Sequence, residues 1–277
     1  EMQRSLVGSE MCIRDRNIMS ITKAVIPAAG LGTRVLPATK NMPKEMYPIV
    51  DKPTIQFIVE EAVAAGITDI LIITNRGKGL MEDHFDASPE LESLLEKSGK
   101  TEFLETVRNI SNLANISFIR QKEMKGLGHA VLKAKSFVGN EPFAVMYGDG
   151  VITGKVPAIK QLIDHYGEYG EGVVGVKKVD AKDIHKYGSL KVEHMHDNIF
   201  ACTDMKEKPQ TPEEVLSLYS ILDRCVLPAE IFEILENTKP GIGGEIQLTD
   251  AMREIAITKG MTAVEFELSL IHISEPT

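Results

Sequence analysis

Glycines and cations that could hold a polyphosphate are concentrated in residues 23–46, with the sequence KAVIPAAGLGTRVLPATKNMPKEM. Gly30 and Gly32 permit a tight turn whose backbone amides can face an anion. Arg34 and Lys44 follow in the same segment. A planar guanidinium and a compact ammonium both suit phosphate oxygens. The spacing therefore predicts a phosphate-binding loop directly after a short apolar strand.

Two common phosphate-binding motifs fit this loop poorly. A dinucleotide fingerprint needs a third glycine where the chain has Val35, and Pro37 and Pro43 would break the helix that follows it. The next apolar run ends at Asn75 instead of at an acidic residue. The lysine-serine signature of a P-loop is also absent. What remains is a long basic loop interrupted by prolines.

The motifs of this loop resemble those of one enzyme superfamily. G-x-G-T-R, followed by P-K-E-M and then V-D-K-P, resembles the signature of the sugar-phosphate nucleotidylyltransferases. Within it, AGLGTRVLPATKNMPKEM is similar to bacterial UTP:glucose-1-phosphate uridylyltransferases. The resemblance covers residues 20–267 and implies transfer from UTP to α-D-glucose 1-phosphate, giving UDP-glucose and pyrophosphate. It implies direct in-line displacement assisted by Mg²⁺, which needs no protein nucleophile.

The same resemblance assigns roles to residues of the loop. It implies that Arg34 and Lys44 are catalytic and contact the triphosphate and the sugar phosphate. It also implies that backbone amides line the nucleotide at Ala28, Ala29, Gly30 and Gly32.

A second motif, RQKEMKGLGHA at residues 120–130, contains residues suited to a base. A glutamine amide offers a donor and an acceptor, and glycine lets the backbone approach a flat ring. The motif matches the family's uracil-recognition segment position for position, which implies that Gln121 and Gly128 bind substrate. We expect His129 to cap the helix or to pack, and not to act as a base.

Asp149, in the sequence MYGDG, follows an apolar run. A hard carboxylate is what Mg²⁺ takes when it also binds substrate phosphates. The resemblance implies that Asp149 is the metal ligand. Many family members have a second acid at the next position, where this chain has Gly150.

The second half of the chain carries an E-K-P motif at residues 207–209. By resemblance, Glu207 accepts hydrogen bonds from sugar hydroxyls, Lys208 neutralises the sugar phosphate as a catalytic residue, and Gly188 backs the sugar. We expect the run EIQLTD at residues 245–250 to begin a helix and to pack. Asp223 stands where the family usually has glycine, and Cys225 where tyrosine is common.

The elements that must position these residues alternate between apolar runs and helical patterns. Such alternation predicts an α/β fold with ligands at the carboxyl ends of the strands. We expect a single Rossmann-like three-layer nucleotidyltransferase domain with a mixed, mainly parallel central sheet. Strands are predicted at 24–26, 70–74, 116–120, 143–147 and 262–266, and helices at 53–65, 88–108, 228–235 and 245–259.

Composition excludes several classes of function. The net charge of −9 in 277 residues argues against nucleic-acid binding, because no basic face is easily assembled. No apolar run reaches the roughly 18 residues of a membrane helix, so no membrane partner is expected. The three cysteines show no paired spacing, which favours a reducing, cytoplasmic location. Family analogy implies a homodimer or homotetramer.

The two ends of the chain do not continue these patterns. Residues 1–19 and 268–277 have no consistent period, and we interpret both as extraneous strings. The resembled family continues with an R-Y-D-C-G segment and a helix, so the domain at residues 20–267 is expected to be truncated.

Two alternatives stay open at the level of sequence. One is a sister nucleotidylyltransferase that uses another base or sugar. The other is a non-catalytic paralogue that binds a nucleotide sugar. Activity assays with a panel of nucleoside triphosphates and sugar phosphates would distinguish a sister enzyme from a uridylyltransferase. Release of pyrophosphate would distinguish an enzyme from a non-catalytic paralogue.

Overall fold

The first half of the chain forms short strands that are mostly separated by helices. The structure is a computed structural model that describes residues 21–266 and 269–272. Apolar residues occupy most positions of the strands that become central in the sheet, as expected for strands covered on both faces. The strands are β1 (Lys23–Pro27), β2 (Pro48–Ile49), β3 (Lys52–Pro53), β4 (Asp69–Thr74), β5 (Asn115–Arg120) and β6 (Phe143–Met146).

Helices connect these strands. The helix predicted over 88–108 is in fact two helices, because Gly99 adopts a φ of 68° that ends the first of them. Pro53 precedes the first helix in an extended conformation and does not occupy its first turn. The helices are α1 (Thr54–Ala64), α2 (Gly79–Phe85), α3 (Pro89–Lys97), α4 (Thr101–Ser111), α5 (Leu127–Leu132) and α6 (Lys135–Val138).

The second half of the chain contains longer strands joined by loops. The strands are β7 (Gly150–Thr153), β8 (Val173–Lys178), β9 (Gly188–His196), β10 (Ile199–Glu207), β11 (Tyr219–Leu227), β12 (Met261–Glu265) and β13 (Ser269–His272). The helices are α7 (Ala158–Asp164), α8 (Ile231–Asn237) and α9 (Leu248–Thr258).

Nine of the described strands form one sheet in the order β5-β4-β1-β6-β11-β8-β12-β10-β9. The pairs β5–β4, β4–β1, β1–β6 and β8–β12 are parallel. The pairs β6–β11, β11–β8, β12–β10 and β10–β9 are antiparallel. The prediction of a mixed sheet is confirmed, but "mainly parallel" describes only its first half, because loops and not crossover helices connect β9, β10 and β11.

Two apolar cores lie on opposite faces of this sheet, which gives three layers. Val25 of β1 packs with α5, α6, α8 and α9 on one face. Ala24 and Ile26 pack with α1, α2 and α7 on the other. This alternation within one strand is the two-residue period of a strand buried on both sides.

Within the described residues, no helix is both long and apolar enough to span a bilayer. The prediction that residues 1–19 are extraneous lies outside the described part of the chain. Of the C-terminal string, only the backbone of β13 is described, and it pairs antiparallel with β7.

Candidate active site

Two cavities meet at the carboxyl ends of the central parallel strands. Cavity A, of about 270 Å³, is lined by Ala29, Gly30, Lys44, Gln121 and Gly126, among others. Cavity B, of about 220 Å³, is lined by Arg34, Gly188, Glu207, Lys208 and Asp223, among others. Three residues border both cavities: Leu127, Tyr147 and Asp149.

Most of the residues predicted to act on substrate therefore lie around one continuous site. Nine of them border cavity A or cavity B: Ala29, Gly30, Arg34, Lys44, Gln121, Asp149, Gly188, Glu207 and Lys208. The other three, which line neither of these two cavities, are Ala28, Gly32 and Gly128.

The backbone amide of Ala28, which was expected to line the nucleotide, is hydrogen-bonded within the sheet. The Ala28 N–H donates to the carbonyl of Ile73 at 2.8 Å, continuing the pairing of β1 with β4. Gly32 shapes the loop instead, with a φ of 65° and a carbonyl that accepts from the Thr39 hydroxyl at 2.7 Å. The turn directs Arg34 to cavity B.

Gly128 packs closely against a distant segment of the chain, and its predicted contact with substrate stays a prediction. Its amide donates to the carbonyl of Ile246 at 2.8 Å, and an added Cβ would lie 2.8 Å from that oxygen. Gly126 of the same motif has a φ of 98° and borders cavity A, and an added Cβ there would also lie 2.8 Å from the carbonyl oxygen of Ile246. Sequence matching alone could not separate the two glycines.

Lys44 and Asp149 form an ion pair across the loop and the end of β6. Their side chains are 16% and 26% exposed, so the pair remains accessible to a ligand. The two residues that were assigned to phosphate and to metal thus form an ion pair with each other. A ligand with both phosphates and a cation could take over both partners.

A buried ion pair beneath the loop was missed by the sequence analysis. The Lys78 ammonium donates to both carboxylate oxygens of Glu45 at 2.8 Å and also to the carbonyl of Ala28. Burial raises the pKa of Glu45 and lowers the pKa of Lys78, while their mutual attraction opposes both shifts. Asn75 donates to the carbonyl of Ala29. These contacts fix the backbone at Ala28 and Ala29, where the glycine loop begins.

Gln121 is held by two acceptors. Its Nε2 donates to the carbonyl of Gly126 at 3.1 Å and to Nδ1 of His129 at 2.9 Å. Because a carbonyl only accepts, this contact identifies the amide nitrogen and orients the side chain. Burial lowers the pKa of His129, in keeping with a neutral ring that accepts at Nδ1. His129 therefore packs against and orients Gln121.

Tyr147 stands between the two cavities and was also missed. Burial raises its pKa well above the usual value, and the charges of nearby acids, including Asp223 and Asp149, add to the shift. The side chain therefore stays a neutral phenol. Its position after β6, next to the turn that carries Asp149, is the signal that could have identified it.

Glu207 and Lys208 lie at the end of β10, against the start of β9. Glu207 pairs in register with Gly188, and its Oε2 accepts from the Thr249 hydroxyl at 2.8 Å. Lys208 has a φ of 41°, and its Nζ lies 3.7 Å from Oε1 of Glu207. Thr249 belongs to the run that was expected to begin a helix and to pack; it lies in the first turn of α9 and also orients Glu207.

The two described cysteines are unsuited to nucleophilic attack. Cys202 and Cys225 are buried, and burial raises the pKa of each thiol to about 12. Both therefore stay protonated at neutral pH. Among the described residues, no group of three or more histidine, cysteine, aspartate or glutamate side chains is arranged to hold a metal ion.

The mixed sheet, the glycine loop after β1 and the carboxylate after β6 define an α/β domain built to bind a phosphorylated ligand. The chain belongs to the nucleotidyl transferase family, whose model matches residues 23–269.

Two bacterial relatives are similar in sequence to most of the chain. It is 51% identical over 249 residues to UTP–glucose-1-phosphate uridylyltransferase 1 of Staphylococcus saprophyticus, covering 90% of this chain and 86% of that protein. It is 54% identical over 235 residues to UTP–glucose-1-phosphate uridylyltransferase YngB of Bacillus subtilis, covering 85% and 79%.

Solved structures agree with these relatives. A UDP-glucose pyrophosphorylase complexed with UDP-glucose is 41% identical, with a TM-score of 0.81 and coverage of 91% of this chain and 93% of that one. A UTP-bound enzyme of the same kind from Acinetobacter baumannii is 36% identical, with a TM-score of 0.82 and coverage of 91% and 88%.

Proposed function

We propose that the chain joins UTP and α-D-glucose 1-phosphate into UDP-glucose and pyrophosphate. The observation that carries this proposal is the position of Asp149, which borders both cavity A and cavity B. Two phosphorylated substrates bound in neighbouring cavities would bring their phosphates together at this carboxylate. The relatives named above carry this activity in their names, which supports the choice of substrates.

In this proposal cavity A holds the nucleotide. The Ala29–Gly30 backbone lies beside the phosphates, and Gln121 meets the base. Since both contacts of Gln121 use its Nε2, its Oε1 is the atom that would accept from the N3–H of uracil. Cytosine has a lone pair at N3 and would repel that oxygen. Of the donor and the acceptor that the Gln121 amide offers, the acceptor is therefore the one we assign to the base.

Gln121→Glu is expected to reduce the preference for UTP over CTP by about tenfold, equivalent to one hydrogen bond of ~1.4 kcal/mol. The carboxylate would place an oxygen against the carbonyl of Gly126, which repels it and shifts the side chain. The ratio of kcat/KM for the two nucleotides measures the effect. Gln161→Glu is the matched control, because Gln161 also donates to a backbone carbonyl but lies outside both cavities. An unchanged ratio in the Gln121 variant would contradict this role.

In the same proposal cavity B holds the sugar phosphate. Glu207 would accept from sugar hydroxyls, since Thr249 already fixes one of its oxygens. Lys208 and Arg34 line the same cavity and would neutralise the phosphate. Gly188 lines the same cavity and would back the sugar.

Lys208→Ala is expected to raise KM for glucose 1-phosphate about tenfold while changing KM for UTP less than about twofold. The reason is that its ammonium lies in cavity B, near Glu207, and not in cavity A. Initial rates with each substrate varied in turn measure both constants. Lys182→Ala, at an exposed lysine outside the site, is the control. An equal rise in both KM values would remove Lys208 from the sugar-phosphate site.

The reaction we propose is a direct displacement. An oxygen of the glucose 1-phosphate phosphate attacks the α-phosphorus of UTP, and the bond to pyrophosphate breaks in line. The sugar phosphate is already an oxyanion, so no general base is required. The residues of this chain would act by holding two anions together, through Arg34, Lys44 and Lys208, and by excluding competing nucleophiles.

We further propose that Asp149 binds Mg²⁺. A carboxylate is a hard oxygen donor, and Mg²⁺ is commonly held by one or two carboxylates together with substrate phosphates. When bound, Mg²⁺ would supply positive charge to the phosphate oxygens. Lys44, released from Asp149, would then contact a phosphate instead.

Pyrophosphate release with UTP, glucose 1-phosphate and Mg²⁺ tests the proposed function. Replacement of UTP by other nucleoside triphosphates, and of glucose 1-phosphate by other sugar phosphates, tests the sister activity. Binding of UDP-glucose without turnover would favour the non-catalytic paralogue. Assembly into homodimers or homotetramers stays a prediction, which light scattering of the purified chain can check.

A further inference from the structure

An aspartate of β11 is directed into cavity B by an irregularity in the strand. The pairing of β11 with β8 shifts register between Ile221 and Cys225. Asp223 lies inside this shift and has a φ of 40°, which side-chain-bearing residues rarely adopt. Bulges often redirect a side chain next to an active site. The Asp223 carboxylate consequently borders the same cavity as Asp149.

Gly150 makes the space that this carboxylate occupies. A Cβ at position 150 would lie 2.0 Å from Oδ2 of Asp223 and 2.9 Å from its Cγ. Gly150 does not have a positive φ, so its backbone conformation is open to other residues. Space, and not backbone conformation, therefore keeps a side chain from position 150 while Asp223 lies where it does. A side chain at 150 and the observed position of Asp223 exclude each other.

A buried arginine fixes the two positions relative to each other. Arg224 is fully buried and donates to the carbonyl of Asp223 at 3.0 Å and to the carbonyl of Gly150 at 2.8 Å. Its guanidinium also pairs with Glu61 of α1 at 2.8 Å. The strand ends that carry Asp149 and Asp223 are thus held together by one side chain. The position of Asp223 is built into the core of the domain.

We propose that Asp223 is the second carboxylate of the active site and, together with Asp149, holds the divalent cation of the reaction. The inference rests on the proposed function. Cations of the chain already surround the cavity, with Arg34 and Lys208 available for phosphate. A second carboxylate offsets this positive charge and adds a hard oxygen donor, which suits Mg²⁺ beside phosphates.

Mn²⁺, followed by electron paramagnetic resonance, tests this role without relying on activity. The free Mn²⁺ signal is titrated against the chain in the presence and absence of UTP. Asp223→Asn is expected to weaken Mn²⁺ binding to the UTP complex by about 10- to 100-fold. Asp197→Asn, at an exposed aspartate that also has a positive φ, is the matched control and should bind Mn²⁺ normally. Thermal melting of each variant shows that it is folded.

The outcomes separate this inference from the proposed function. Unchanged Mn²⁺ affinity in a folded Asp223→Asn variant, with normal binding in the unmodified chain, would overturn the role of Asp223 alone. An unmodified chain that binds neither UTP nor Mn²⁺ in its presence would overturn the proposed function and this inference with it.

Exchange of the acid between the two positions gives a second test. Gly150→Asp alone should disrupt the site, since its side chain would meet the Asp223 carboxylate. Asp223→Gly alone should lose Mn²⁺ affinity like Asp223→Asn. Gly150→Asp combined with Asp223→Gly should bind Mn²⁺ at least tenfold more tightly than Asp223→Gly alone, because a carboxylate again enters the same space. A folded double variant that binds Mn²⁺ no better than Asp223→Gly would overturn the proposal.

Discussion

Asp149→Asn is expected to lower the rate of pyrophosphate release about a thousandfold, or ~4 kcal/mol of transition-state stabilisation. The amide keeps the shape of the side chain and loses the charge that would anchor a cation at the junction of the two cavities. Because the side chains of Asp149 and Lys44 are 26% and 16% exposed, loss of this ion pair should cost about 1 kcal/mol of stability. The variant should therefore be folded and inactive.

Single-turnover and steady-state assays at saturating UTP, glucose 1-phosphate and Mg²⁺ measure this effect. Asp164→Asn is the matched control, because it removes a charge from an exposed ion pair with Lys160 on α7, outside both cavities. Its rate should stay within about twofold of the unmodified chain. If Asp149→Asn kept its rate within tenfold at saturating Mg²⁺, Asp149 would have no part in holding the cation.

Arg224→Met is expected to lower the free energy of unfolding by about 3–5 kcal/mol, the cost of breaking a buried ion pair. Arg224 is fully buried, and its partner Glu61 has a side chain only 8% exposed. Removal of the guanidinium takes away the main charged partner of Glu61 and leaves its carboxylate buried with little access to water. The carbonyls of Asp223 and Gly150 lose donors at the same time.

Urea unfolding curves, fitted with one common dependence of the free energy of unfolding on urea concentration, measure the loss of stability. Glu61→Leu combined with Arg224→Met should be more stable than Arg224→Met alone, because no buried charge is left unpaired. Arg108→Met is the control: Arg108 pairs with Glu92 on the surface at 2.9 Å, and its loss should cost less than ~1 kcal/mol. A loss below ~1 kcal/mol in Arg224→Met would show that the pair does not hold the strands together.

The first half of the fold was largely predictable from local patterns. The strand predicted at 70–74 is β4, Asp69–Thr74, and the strand predicted at 116–120 is β5, Asn115–Arg120. Apolar runs bounded by turn residues define such strands without reference to the rest of the chain. The direction of the later strands was not predictable in the same way. The two-residue connection between β9 and β10 requires an antiparallel pair, but the sheet partners of β11 and β12 are distant in the sequence, so no local pattern records their direction.

Motif matching named residues that the structure brings around cavities A and B, but it did not distinguish residues that line these cavities from residues that pack behind them. Gly126 and Gly128 belong to one motif, and Ile246, from a distant part of the chain, approaches both, yet of the two only Gly126 lines cavity A. Lys78 belongs to no recognised motif, so the sequence analysis missed it, although it donates hydrogen bonds to Glu45 and to the carbonyl of Ala28. Its role exists only through contacts made on folding.

The sequence by itself determined the glycine- and proline-rich loop after β1, the strands that precede the predicted site residues, and the position of Asp149 as an acid after a strand. These properties depend on neighbouring residues, whose types and spacing are visible along the chain. Tertiary structure alone decided that Lys44 meets Asp149, 105 positions away, and that Arg224 meets Glu61, 163 positions away. It also decided that Asp223 occupies the space left by Gly150, because a register shift in β11 and the packing of two strand ends bring them together. Such encounters depend on the register and stagger of distant strands, which no local pattern records.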